Sequence, residues 1–186
     1  MSKIRLTPNA SGTGTVTLTV PSTSTDRTIT LPDNSGDIIT TATANTILQV
    51  KQVAYSGQRL SNNNTMIDTN LTLDITPSST SSKILMTVHQ TGLHKQSLDT
   101  AVVLRAVRVL GGVLTTLGGE FERFGGKSYT NVAIGHGGVS CVYLDSPNTT
   151  STVTYKTQFK SRDNRSEVFV QVAGAESTMV LMELAG

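Results

Sequence analysis

The sequence predicts an all-β chain: a short N-terminal strand–turn–strand module followed by an antiparallel β-sandwich of jelly-roll type. Three observations carry that prediction. Apolar and polar residues alternate with period two, most cleanly in Val153–Phe159, where Val153, Tyr155 and Phe159 share one face and Thr154, Lys156 and Gln158 the other. Ser and Thr make up about a quarter of the 186 residues and Val recurs throughout, a composition that suits pleated strands better than helices. The apolar segments are short and separated by Gly, Pro, Asn, Asp and Ser, with no sustained helical stripe.

The first ordered stretch runs from Ala10 to Thr40 and holds two alternating segments, Val16–Val20 (VTLTV) and Thr28–Leu31 (TITL). Its apolar residues are few: Val16, Leu18, Val20, Ile29, Leu31, Ile38 and Ile39. A segment below about 40 residues rarely closes a core alone. The stretch is therefore expected to borrow its core from other chains, as strands of an intertwined homotrimer do when they cover one another's edges. Residues 1–9 form an end in which Ile4 and Leu6 suit one more short strand, and TATANT (41–46) reads as a connector. The expected domains are 1–45, an attachment and trimerisation module, and 46–186, the sandwich.

From Ile47 the strands lengthen. Ile47–Tyr55 opens the domain, a Gly/Ser/Asn-rich loop follows at Ser56–Asn64, and Met66–Ile75 ends before Pro77, which lacks a ladder donor. After TPSSTSS come Lys83–His89, a loop at Leu93–Asp99, and Ala101–Leu110, whose only charges are Arg105 and Arg108. That last run is long enough for a helix, but its Val content favours a strand. Three Gly pairs, Gly111–Gly112, Gly118–Gly119 and Gly125–Gly126, flank VLTTL and EFERF and predict a small β-meander, or alternatively a flexible tip. The remaining strands are expected at Asn131–Ile134, Val139–Leu144, Val153–Phe159, Val168–Val172 and Thr178–Leu184.

Charge and cysteine content narrow the function classes. The net charge is +2 with no Lys/Arg stripe, which argues against a nucleic-acid partner. Cys141 is the single cysteine, so no intrachain disulfide forms, and synthesis in a reducing compartment is expected. MSKIRLTPNAS lacks the apolar run of a signal peptide, and no stretch approaches the roughly 18 apolar residues of a membrane span, so no membrane insertion is expected.

Candidate chemistry is sparse. His89, His94, His136 and Cys141 match no zinc spacing, and His89 and His94, five apart, fall on opposite faces of a continuous strand. Gly135–His136–Gly137–Gly138 resembles an oxyanion loop, but no Gly-x-Ser-x-Gly elbow accompanies it, and Gly12-x-Gly14 lacks the strand and helix of a phosphate loop. Glu120 and Glu122, on one face of a short strand, with Asp145 at a turn, offer carboxylates for glycoside hydrolysis, but the chain has no Trp and four Tyr for sugar stacking. No enzyme activity, cofactor or metal is expected. Lys156, Lys160, Arg162 and Arg165 form the most basic segment, read as a solvated strand face and loop in preference to an anionic-glycan contact. Recognition commonly sits on loops held by a rigid sheet. The candidate contact residues are therefore Arg59 and Asn63 in the first loop, His94 and Lys95 in the second, and Arg162, Asn164 and Arg165 in Ser161–Ser166.

Val16–Thr19, Pro21–Asp26, Thr28–Pro32 and Asp33–Asp37 follow one another as a VTLT strand, a polar turn with Pro, a TITLP strand and a Gly-Asp turn. In that order they resemble a module of tailed-phage tail-fibre and other virion proteins. Leu48–Gln52 (LQVKQ), Ile75–Leu85 (ITPSSTSSKIL) and Tyr143–Tyr155 (YLDSPNTTSTVTY) are similar to C-terminal domains of marine and cyanobacterial phage fibre-like proteins. The resemblance implies a virion surface protein made in the host cytoplasm, commonly homotrimeric, joined to another virion protein and contacting a host surface glycan or protein. It carries no catalytic residues. A short tail fibre is the expectation; a capsid decoration, head-fibre or cement protein and a small glycan-degrading tailspike are the alternatives.

Overall fold

Each backbone N–H and C=O in a chain with few helix formers finds its partner in a neighbouring strand, so pairing register decides which side chains are buried. The structure, a computed structural model, describes residues 11–15, 17, 22, 24, 26, 46–96, 100–124, 137–162, 164 and 166–186. The chain divides into two compact units, Met1–Asp37 and Ile38–Gly186. Apart from isolated positions, the alternating segments of Ala10–Thr40 lie outside the described residues, as do connector residues 41–45, Gly125–Gly126 and Asn131–Ile134.

In the second unit the described strands are β1 (Ile47–Tyr55), β2 (Arg59–Ser61), β3 (Ile67–Ile75), β4 (Lys83–Lys95), β5 (Val102–Leu110), β6 (Val113–Phe124), β7 (Gly137–Asp145), β8 (Val153–Ser161), β9 (Val168–Val170) and β10 (Ser177–Leu184). They form two antiparallel sheets that pack as a sandwich, the all-β architecture expected from the alternation. One sheet runs β1-β10-β4-β9-β2, with β7 also on β4; the other runs β3-β8-β5-β6. β4 is shared along its length: Ile84–Leu93 pairs with β7, while His94 and Lys95 pair with β9.

Several sequence expectations change here. Arg59–Ser61, read as loop, is a strand held by Val168–Val170 of β9. Leu93, His94 and Lys95, also read as loop, extend β4. The expected strand Val168–Val172 stops at Val170 and gives way to a 3-10 turn at Val172–Gly174. The meander is corrected too. Gly111–Gly112 makes the β5–β6 turn, but Gly118–Gly119 lies inside one continuous strand as a bulge, with Leu117 opposite Ala106 and Glu120 opposite Arg105. Both bulge glycines have positive φ (66° and 88°), so they lengthen the strand locally instead of reversing it.

A second bulge sits at Gly92 in β4, where Gln90 pairs with Val139 and Leu93 with Gly137, so one extra residue is accommodated. The extra residue shifts the alternation: Gln90 and Leu93 are both buried, and His89 and His94 no longer fall on opposite faces as expected for a continuous strand. Gly92 has φ 60°, and a Cβ there meets the Val172 backbone nitrogen at 2.5 Å and the Ala175 Cβ at 2.9 Å. Gly92→Ala is therefore expected to cost well over the roughly 1 kcal/mol of an unfavourable φ alone. Gly111→Ala, with φ 56° and open space around the added methyl, pays only the backbone term. Urea unfolding of the two variants side by side measures the difference.

The core falls into two clusters. Leu71, Ile84, Met86, Tyr155, Met179 and Leu181 belong to the larger, and Leu93, Leu104, Phe159 and Val168 to the smaller. A buried polar band lies between them in sequence on β4 and β8. Gln90 Nε2 donates to Ser177 Oγ (2.9 Å), Thr157 Oγ1 donates to Gln90 Oε1 (2.9 Å), and the Thr69 and Thr157 hydroxyls lie 2.6 Å apart. Every group of this band that is buried thereby has a partner, which keeps it from costing stability. At the open side of the sandwich, edge strand β1 turns Gln49 and Lys51 inward, and they donate to the carbonyls of Thr76 (2.8 Å) and Asp74 (3.0 Å) beside edge strand β3. An inward-pointing lysine on an edge strand also discourages uncontrolled pairing.

Candidate functional site

Antiparallel pairing brings the ends of β2, β4 and β8 and the starts of β3, β5 and β9 to one end of the sandwich, and the loops 62–66 and 161–167 lie there. Backbone bonds lock them together. Ser161 N–H donates to the Asn63 carbonyl (2.9 Å), Arg162 N–H to the Ala101 carbonyl (3.1 Å), and Gln96 N–H to the Glu167 carbonyl (3.0 Å). Side chains add to this: Asn64 N–H donates to Asn164 Oδ1 (2.5 Å), Thr65 N–H to Asn63 Oδ1 (2.9 Å), and Ser161 Oγ to the Ser166 carbonyl (2.9 Å). Asn164 takes the left-handed backbone conformation (φ 56°) that Asn tolerates better than most residues.

The residues singled out in the sequence divide accordingly. Asn63, Arg162 and Asn164 meet at this end, on loops as expected. Lys95 ends β4 at the same end but is 4% exposed, so burial withdraws it from a contact surface. His94, at the end of β4, packs its ring on Phe169 at a centroid distance of 5.6 Å and lines a cavity of about 170 Å³ with Gln58, Gln96 and Val172. Arg59 stands at the opposite end of β2, paired with Val170. Arg165 and His136 lie outside the described residues.

The outward face of the four-stranded sheet adjoins the loop end and carries a cluster of ion pairs set among Val103, Val107 and Thr154. Arg105 donates through Nε (2.9 Å) and an Nη (2.6 Å) to Gln158 Oε1, and Gln158 Nε2 donates to Asp68 Oδ1 (2.7 Å). Lys156 pairs with Asp68 and Lys160 with Glu120, each at 2.7 Å. The basic face read as merely solvated is thus an ion-paired lattice. Partial burial alone raises the Asp68 carboxyl, but the bonds from Lys156 and Gln158 and the charges of Lys156 and Arg59 outweigh it and hold the group below its ordinary value. Asp68, Asn70, Thr72, Thr154 and Lys156 line a shallow groove of about 300 Å³ on this face.

The carboxylate pair considered for hydrolysis is not assembled. Glu120 registers opposite Arg105 and its carboxylate is taken up by Lys160, while Glu122 registers opposite Leu104. Asp145 is spent elsewhere: it accepts two bonds from Arg108 (2.8 and 2.9 Å) and one from the Tyr155 hydroxyl (2.6 Å) inside the sandwich. Burial first, then the Asp145 carboxylate, pushes the Tyr155 hydroxyl far above its ordinary range. Burial pushes the Cys141 thiol up to about 11, so it stays protonated and weakly nucleophilic near neutral pH. Among the described residues no group of three His, Cys, Asp or Glu side chains is placed to hold a metal ion.

Asp68, Arg105 and Gln158 were missed as surface residues of interest. One signal for Arg105 was present: Arg105 and Arg108 are three apart on one strand, so they face opposite sides and only one of them reaches the interior.

No protein-family model and no curated protein matches the chain. Among solved structures the chain is similar to the infectious bursal disease virus VP2 subviral particle, with a TM-score of 0.43 and 11% identity over 74% of this chain. The chain spans about a third (33%) of that protein's length.

Proposed function

We propose that this chain is a non-catalytic virion structural protein, a short homotrimeric tail fibre or a component of one, that mediates attachment to a host surface. In this reading residues 1–45 join it to another virion protein, and the loop end of the sandwich, at Asn63, Arg162 and Asn164, meets a host glycan or protein. The observation that carries it is the way the loop after β2 and the loop after β8 are fastened to one end of a two-sheet scaffold, with Asn63 and Asn164 exposed there. Binding residues are disproportionately found on loops so held. The order of the Val16–Asp37 strand and turn pieces supports the virion setting.

Two measurements test it. Gold-labelled antibody raised against the full chain is expected at the tail of purified virions; label on heads overturns the tail placement, and unlabelled virions overturn the virion role. Fluorescently labelled full chain is expected to bind host cells, and Asn63→Asp/Asn164→Asp to bind at least about tenfold less. These substitutions keep both Oδ1 acceptors while removing two outward donors and adding charge, a loss of about 1.4 kcal/mol or more at the contact. Equal binding by the variant removes the loop end from the contact.

A further inference from the structure

The two outward faces of the sandwich differ in kind. That of the four-stranded sheet carries ion pairs, whereas the other sheet presents a neutral face whose first two rows are largely apolar. Register aligns it into rows across four strands. Val50 of β1 sits opposite Met182 of β10, Met182 opposite Leu85 of β4, and Leu85 opposite Leu144 of β7. The next row is Gln52, Val180, Thr87 and Val142, and the last is Ala54, Thr178, His89 and Ser140. Val50 is 56% exposed, Val142 65% and Leu144 48%. These rows contain no acid and, apart from His89, no ionisable group; Lys83, opposite Leu184, stands at the margin.

Size and shape choose the occupant. Four strands about 4.8 Å apart make the face roughly 19 Å wide, and the five residues that the three rows span, at about 3.3 Å each, make it roughly 16 Å long. A contact over that area buries on the order of 300 Å² per copy, short of the roughly 1,200–2,000 Å² total of a stable pairwise interface, so the face serves copies that are also joined elsewhere. Three such faces, however, close into a triangular prism whose walls stand roughly 5.5 Å from its axis. That is about half the roughly 10 Å spacing of packed sheets, so one layer of side chains from each wall fills the interior. Neutral apolar faces carry no charge that repels their copies, and a modest contact gains strength when the same chains are also joined elsewhere.

We propose that second and third copies of this chain cover this face, with β7 of each copy meeting β1 of the next around a threefold axis. The inference deepens the trimer reading above and rests on it. Leu144 of one copy then lies against Val50 of its neighbour, a head-to-tail contact that closes after three. Within one chain the two residues are three strands apart, roughly 14 Å, beyond the reach of a disulfide, whose Cα atoms stay within about 7 Å.

The test is the full chain carrying Val50→Cys and Leu144→Cys, oxidised with copper phenanthroline and air and run on a denaturing gel, with the molar mass of the unoxidised chain measured by sedimentation. The expected result is a trimer whose chains become linked in twos and threes, while the wild-type chain, whose half-buried Cys141 packs against the core, and a Thr72→Cys variant on the polar sheet stay unlinked. Both substituted side chains are about half exposed within one chain, so the fold of each chain is expected to stay intact, which an unchanged far-UV circular dichroism spectrum confirms. Links that stop at two chains overturn the threefold arrangement. A trimer in sedimentation with no links overturns this face as the contact and leaves the trimer reading standing. A monomer in sedimentation overturns the trimer reading and the inference with it.

Discussion

Asp145→Ala is expected to destabilise the sandwich by about 3 kcal/mol, the low end for breaking a buried ion pair. Asp145 ends β7 in one sheet, and its partners Arg108 and Tyr155 belong to β5 and β8 of the other, so the carboxylate ties the two layers together. Removing it strands a guanidinium and a hydroxyl. Tyr155 is fully buried and cannot turn to water, but the Arg108 side chain is 18% exposed and regains some hydration, which sets the estimate at the low end. The triple variant Arg108→Met/Asp145→Leu/Tyr155→Phe is expected to recover most of the loss, because an apolar cluster of similar volume needs no desolvated charges. Chemical unfolding of the two variants decides it. A triple variant as unstable as Asp145→Ala shows that the ion pair stabilises in its own right.

Glu183→Ala is expected to cost a comparable amount, about 3 kcal/mol, and to change the acid stability profile. Glu183 is completely buried on β10, and its carboxylate accepts from Gln49 Nε2 (2.5 Å), Ser78 N–H (2.6 Å), Ser78 Oγ (2.6 Å) and Ser82 Oγ (2.7 Å). One side chain thus pins the loop between β3 and β4 and edge strand β1. Burial pushes its pKa up, but the four bonds outweigh it and leave the group below its ordinary 4.5. A carboxyl whose folded pKa is depressed binds its proton more readily when unfolded. Its contribution is therefore complete above the unfolded value and is lost as pH falls through the folded one. Asp68, depressed in the same way, adds to the same acid limb. Wild-type stability is expected to be flat from about pH 5 to about pH 8 and to fall below about pH 5, and Glu183→Gln to show a shallower fall on that acid side. Identical acid slopes in the two proteins remove Glu183 from the account.

The Ser-rich run TPSSTSS shows where sequence reading stopped. It is legible as a loop after Pro77, yet nothing in it announces that its hydroxyls and amides converge on a glutamate 101 to 105 residues away. The basic residues of β8 were legible as an outward row, but their partners Asp68 and Glu120 come from β3 and β6, and only register brings them opposite. The loop end was visible in part. Asn63, Arg162 and Asn164 were found because polar clusters between strands mark loops. Arg59, His94 and Lys95 read as loop, because short strand ends carry too few residues to show alternation.

What the sequence determined by itself is the class of element and most of its alternation. Val, Ile and Thr at period two dictate strands, and β1, spanning Ile47–Tyr55, is placed to the residue. What the tertiary structure alone decided is the pairing. Period two says which residues share a face but not which strand lies beside them, and one extra residue inverts the rest of a strand. The bulges at Gly92 and Gly118–Gly119 are of this kind: a glycine at positive φ serves a turn and a bulge equally well, and the choice is made by the packing of Val172 and Ala175 against one and Tyr143 against the other. The apolar field on the outer face has the same origin, because Val50, Met182, Leu85 and Leu144 are neighbours only through three registers that no local pattern encodes.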